Sequence, residues 1–93
     1  MDDELHNFIL DENHNLIPVD VSTWAHWMED IEKRKIALDE VHGMRISTVC
    51  LGLLNCLFET CIFTPSGSQV IEKYKTYQDA LEGHKKWVKL QEK

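Results

Sequence analysis

Three cysteines lie in an otherwise apolar stretch, ISTVCLGLLNCLFETCIF at residues 46–63. Thiols act as nucleophiles, metal ligands or redox groups, so these side chains are the first candidates for chemistry. Their spacing, C-x5-C-x4-C, lacks the close C-x2-C pairs that structural zinc sites favour. Side chains alternate between the faces of a strand, so we expect Cys56 and Cys61 to point in opposite directions. The pattern therefore favours Cys50, Cys56 and Cys61 as packing residues, with a disulfide or reactive thiol as the alternative, and predicts no metal and no cofactor.

A cysteine–histidine pair is the second candidate chemistry, and the chain has five histidines. We expect His14 and His42 in turns and His26 on the polar side of a helix. His84 falls on the apolar stripe of the last helix, so it is the histidine expected to be partly buried. A catalytic pair also needs an orienting partner and an oxyanion site, and no sequence feature supplies them. The sequence therefore favours a protein that is not an enzyme.

Glu59 is the one acid in the apolar stretch. It shares a strand face with Leu57 and Phe63, and we expect it at the solvent side of the sheet. An exposed pair with Arg45 is the alternative. A small enzyme or ligand-binding protein that uses His84, Glu59 and a cysteine remains the rival hypothesis.

Hydrophobic periodicity around these residues predicts an α+β fold with the element order ββ-α-ββββ-α. The predicted elements are a β-hairpin at 8–19 with Pro18 on its edge strand, an amphipathic helix at 20–35 capped by Asp20 or Ser22, four strands with turns at His42–Gly43, Leu54–Asn55 and Thr64–Ser68, and a last helix from Thr76. Short connections predict a mainly antiparallel sheet, with two amphipathic helices packed on one face. The length predicts one domain, 1–93, with residues 1–7 expected to be flexible.

The charge is unevenly placed along the chain. Residues 1–40 hold 11 acids and 3 bases, whereas residues 41–93 hold 5 acids and 7 bases. An acidic half disfavours direct nucleic-acid binding and suits a protein partner with a basic surface. The predicted partner-binding residues are Glu29, Asp30, Glu32, Asp39 and Glu40. No apolar run approaches the roughly 20 residues of a membrane helix, and the acidic start is unlike a signal peptide, so we expect a cytoplasmic protein with no membrane contact.

Both faces of the central β-hairpin are apolar. One face would carry Val49, Leu51, Leu53 and Leu57, and the other Ile46, Cys50, Phe58 and Ile62. An antiparallel sheet with a solvated face alternates more regularly with polar residues. We therefore expect the second face to be covered by the N-terminal hairpin, by another copy of the chain or by a partner. Self-association through Val49, Leu51, Leu53 and Leu57 predicts a homodimer.

Several strings of the sequence resemble a family of small proteins encoded by tailed bacteriophages and prophages. These strings are FILDENHNLIPVD, WAHWMED, RISTVCLGL, LFETCIF and YQDALEGH, and they span residues 8 to about 88. Family members carry an Asp-His pair and a glycine-rich loop between the LGL and LFET strands, where this chain has only residues 53–56. The resemblance therefore transfers no function of that loop and no catalytic motif.

The resemblance implies a phage gene product that works inside a bacterial host. Small accessory proteins of this kind bind host or defence proteins. The expected function is therefore a protein-binding module that inhibits a host defence system, similar to an anti-CRISPR protein. A structural component of the virion is the alternative.

Overall fold

The computed structural model describes residues 7–93 and has the α+β architecture that the periodicity predicts. Its elements are β1 (Asn7–Leu10), β2 (Leu16–Val19), α1 (Val21–Met28), α2 (Ile31–Arg34), β3 (Lys35–Val41), β4 (Met44–Leu53), β5 (Cys56–Thr64), β6 (Gly67–Tyr74) and α3 (Tyr77–Glu92). The flexibility expected for residues 1–7 lies outside the described residues, except at Asn7, which begins β1.

The six described strands form one antiparallel sheet in which β4 is the central element. The order is β2-β1-β4-β5-β6, and β3 also pairs with β4. Because β5 occupies one edge of β4, β3 and β1 share the other edge, where β1 meets β4 at Leu53. The predicted turns are confirmed: His42 and Gly43 both have positive φ, 52° and 80°, and Leu54–Asn55 joins β4 to β5. Pro18 lies on the edge strand β2, as predicted.

The helix predicted at residues 20–35 is divided into α1 and α2. The Asp20 carboxylate accepts from the Thr23 amide at 2.8 Å and begins α1. Asp30 has extended backbone angles and accepts from the amides of Glu32 and Lys33, so it begins α2 as a new helix. Of the helices in the described residues, none has the length and apolar character needed to cross a membrane.

Strand alternation in β4 and β5 gives the sheet an inner face and an outer face. On the inner face Ile46, Thr48, Cys50, Phe58 and Thr60 are fully buried. Trp27 of α1 and Ala80 of α3 pack into this core, so the helices cover the inner face as predicted. Leu10 and Leu16 of the N-terminal hairpin belong to the same core. In the described residues, the hairpin therefore packs on the inner face and does not cover the outer face.

Gly52 allows β4 and α1 to approach closely. Its φ is +67°, and a Cβ there would contact the Phe8 carbonyl oxygen and the Trp24 ring nitrogen. Trp24 Nε1 also donates to the Leu51 carbonyl at 2.9 Å, which ties α1 to this point of β4. The glycine is therefore required by both conformation and space.

We predict that Gly52→Ala lowers the free energy of unfolding by about 2–4 kcal/mol, because it adds backbone strain and overpacking. Gly43→Ala is the matched control, since Gly43 also has a positive φ but has open space around it. That control should cost only about 1 kcal/mol. Urea denaturation measures both variants, and equal losses would contradict the close approach at Gly52.

Candidate functional site

His84 of α3 is buried, with 3% of its surface exposed, and both of its ring nitrogens are hydrogen-bonded. Nε2 lies 2.7 Å from Asp39 Oδ2 of β3, and Nδ1 lies 2.7 Å from Thr48 Oγ1 of β4. A carboxylate, an imidazole and a hydroxyl in series is the order found in hydrolase triads. The sequence predicted the burial of His84 but not its two partners.

The hydrogen bonds continue from Thr48 across the rest of the sheet. Thr48 Oγ1 bonds to Thr60 Oγ1 of β5, and Thr60 Oγ1 lies 2.9 Å from Tyr74 Oη of β6. Tyr74 Oη donates to Glu72 Oε1 at 3.2 Å. We call this line the polar chain, and its members in order are Asp39, His84, Thr48, Thr60, Tyr74 and Glu72. It runs beneath α3 from β3 to β6, and no buried side-chain nitrogen or oxygen of the described residues lacks a partner.

Glu72 ends the polar chain as a carboxylate. Its Oε1 accepts from Lys86 Nζ at 2.8 Å and from Trp87 Nε1 at 2.7 Å. The Lys86 and Trp87 hydrogen bonds lower the pKa of Glu72, so the group is an anion at neutral pH. Burial raises the pKa of Tyr74, so the phenol keeps its proton and can donate it.

The number of protons available decides whether every contact of the polar chain can be satisfied. Its five contacts need five protons, and the two threonines with Tyr74 supply three. A neutral His84 ring supplies one more, which leaves one contact between two lone pairs. An imidazolium supplies two protons, so all five contacts have one. Each proton then lies on the side nearer to His84, and the donors run from His84 to Asp39 in one direction and to Glu72 in the other. With Asp39 as a carboxylate, the hydrogen-bond geometry is therefore fully satisfied only by an imidazolium at His84.

The triad-like order at His84 is closed to substrate. Thr48 is fully buried and its hydroxyl is engaged by both His84 and Thr60. An attacking hydroxyl must reach an electrophile and an oxyanion site, and a buried threonine beneath α3 reaches neither. The polar chain is therefore suited to holding α3 on the sheet and not to nucleophilic attack.

The burial of Cys56 with Phe58 and Thr60, and the partial exposure of Cys61, follow the predicted strand alternation, yet both thiols contact the same carboxylate. Cys56 Sγ lies 3.8 Å from Glu59 Oε1, and Cys61 Sγ lies 3.5 Å from Glu59 Oε2. The long glutamate side chain and the irregular pairing near Leu53 make this convergence possible. Cys50 is buried in the core, where packing was predicted.

The electrostatics around the thiols keep them protonated. Burial raises the pKa of Cys50 to about 11. Burial and then the Glu59 charge raise the pKa of Cys61 to about 11, and the same two causes raise that of Cys56. The thiolate is the reactive form, so these cysteines are poor nucleophiles at neutral pH.

The residues of the rival enzyme hypothesis are not brought together. His84 contacts the inner face through Thr48, whereas Glu59 lies between buried Phe58 and Thr60 and therefore points to the outer face. The alternative pair of Glu59 with Arg45 is not formed either, because Arg45 lies opposite Phe63. Glu59 instead lies opposite Val49 and Lys73.

The five predicted partner-binding acids divide into two groups. Glu29, Asp30 and Glu32 are exposed at the junction of α1 and α2, and we call them the acidic corner. They line a shallow cleft together with Ile31, which is 61% exposed. Asp39 and Glu40 lie on β3, where Asp39 is engaged by His84.

The predicted self-association residues Val49, Leu51, Leu53 and Leu57 are half-buried in β4 and β5. Among residues 7–93, no three histidine, cysteine or acidic side chains are arranged to hold a metal ion.

A scan against protein-family models and searches of curated proteins and of solved structures find no match to this chain.

We predict that Thr60→Val lowers the free energy of unfolding by about 2–3 kcal/mol, because it removes two buried contacts and leaves the Thr48 hydroxyl proton without an acceptor, although Thr48 keeps its contact with His84 and Tyr74 keeps its bond to Glu72. Thr64→Val, the same substitution in the same strand, is the control. Thr64 bonds to Ser66 and Gly67 in an exposed turn, where water replaces the lost contacts, so its cost should stay below about 1 kcal/mol. A cost at Thr60 no larger than at Thr64, measured in urea, would contradict a continuous polar chain.

Proposed function

We propose that the chain is a protein-binding module, not an enzyme, and that its acidic corner docks on a basic surface of a host protein. The observation that carries this proposal is the cleft in which the exposed Ile31 is flanked by Glu29, Asp30 and Glu32. Lys33 also lines the cleft and Glu32 pairs with Lys35, but acids outnumber bases in the cleft. An apolar side chain in a net acidic cleft suits a partner that presents cations around an apolar contact.

The interior of the protein supports a binding role over a catalytic one. His84, the histidine best placed for chemistry, has both ring nitrogens occupied beneath α3. The three thiols have raised pKa values and keep their protons. The groups with chemical capacity are thus used in packing, which leaves the surface to carry the function.

The resemblance to phage-encoded proteins supports a host protein as the partner. A phage accessory protein acts on host machinery, so the basic partner is a host protein, and the proposed outcome is inhibition of a host defence system in the bacterial cytoplasm. Many such systems bind nucleic acid through basic surfaces, which an acidic protein can occupy.

Affinity capture from a bacterial host lysate, followed by mass spectrometry, tests the proposal with the tagged full chain. The test variant combines Glu29→Lys, Asp30→Asn and Glu32→Lys. Asn is used at position 30 because the side chain of Asp30 caps α2, and asparagine keeps that hydrogen bond while removing the charge. We expect capture of the partner to fall roughly tenfold or more.

The control combines Glu12→Lys with Glu92→Lys, two exposed acids outside the acidic corner. It reverses the same number of glutamates and should capture the partner as well as the original chain does. Equal capture by the test variant and the control would refute the acidic corner as the docking surface.

A further inference from the structure

The outer face of strands β3 to β6 is an apolar surface with open edges. One row of paired residues crosses it as Leu38, Ser47, Cys61 and Val70. Leu38 and Val70, at the two ends of this row, are 47% and 45% exposed, and Phe63 in the next row is 43% exposed. In the described residues the helices and the N-terminal hairpin pack on the inner face, so this surface keeps its exposure.

The charges on the outer face are balanced. By register the face carries Glu40 and Glu59 together with Arg45 and Lys73. Lys35 at its margin already pairs with Glu32. The whole chain has a net charge of −6, so two copies repel each other over much of their surface. The balanced outer face avoids that repulsion, and it favours neither a strongly acidic nor a strongly basic partner.

The area of the outer face is sufficient for a specific dimer. Four strands about 4.8 Å apart give the face its width, and about eight residues with a rise of about 3.3 Å each give its length. The face therefore has an area of roughly 500 Å². Two such faces bury roughly 1,000 Å² together, which reaches the size at which specific interfaces begin.

We infer that two copies of this chain pack outer face to outer face as a homodimer, with Val49, Leu51, Phe63 and Val70 in the contact, whereas Leu57 packs against the core. The two sheets stack at the roughly 10 Å separation of a β-sandwich, and the twofold axis lies between them. This interface explains why both faces of the β4–β5 hairpin are apolar, because one face packs on the core and the other on the second copy. It is independent of the acidic corner, which each copy keeps exposed for another partner.

Sedimentation velocity on the purified full chain, from about 1 to 100 µM, tests the inference without any partner present. We expect a monomer–dimer equilibrium within this range, and Val70→Asp should raise its dissociation constant at least about tenfold. Leu38→Asp, at the opposite edge of the same face, should act in the same direction. Circular dichroism checks that each variant is folded.

Val21→Asp is the matched control, since Val21 is 62% exposed on α1, away from the outer face. It should dimerise as the original chain does. A monomeric mass of the original chain over the whole range overturns the inference whatever the variants do. If Val70→Asp and Leu38→Asp both leave the dimer unchanged, the assignment of the interface to the outer face is overturned. Because lysate capture is not involved, neither result depends on the proposed function.

Discussion

The polar chain beneath α3 constrains how the helix and the sheet fit together. An unpaired buried polar group costs about 1–3 kcal/mol, so six side chains from four strands and one helix must come into line at once. The strand register supplies part of this alignment, because Thr48 lies directly opposite Thr60. Gly83 supplies another part: a Cβ there would meet the Tyr74 ring, so α3 reaches the sheet only with glycine at that position. Specific hydrogen bonds thus select one placement of a helix that apolar packing alone would leave less defined.

Because the polar side chains of the interior are engaged with one another, we look for function on the surface of the protein. The histidine, threonines and tyrosine that could perform chemistry satisfy one another, and the thiols are packed or donate to Glu59. Two surfaces of the described residues differ in character. The acidic corner is charged and presents one apolar side chain, Ile31, whereas the outer face is broad, largely apolar and balanced in charge. We propose the first as the contact with a basic partner and the second as the contact with another copy of the chain.

The elements that sequence reasoning predicted are those set by local chemistry. The turn at Leu54–Asn55 follows from a short break between two strand patterns, and it fixes the pairing of the strands on either side. The break at Asp30 was missed because the helical periodicity of apolar residues continues across it, while the capping carboxylate begins a new helix. The partners of His84 lie 36 and 45 residues away in sequence, so only the tertiary fold reveals them. One signal was available: Thr48 and Thr60 are polar residues at inner-face positions of β4 and β5. The predicted turn pairs Leu53 with Cys56 and by itself would set Thr48 opposite Cys61, so the register shift between Cys50 and Leu53 is what places Thr48 opposite Thr60.

The central claim is that the polar chain is continuous and fully satisfied, with its protons directed from His84 to Asp39 and Glu72. Nitrogen-15 NMR of the His84 ring near neutral pH tests this claim most directly. The account predicts that both ring nitrogens carry a proton, with signals protected from solvent exchange by burial. A ring with one unprotonated nitrogen would leave one contact of the polar chain without a proton and would contradict the account.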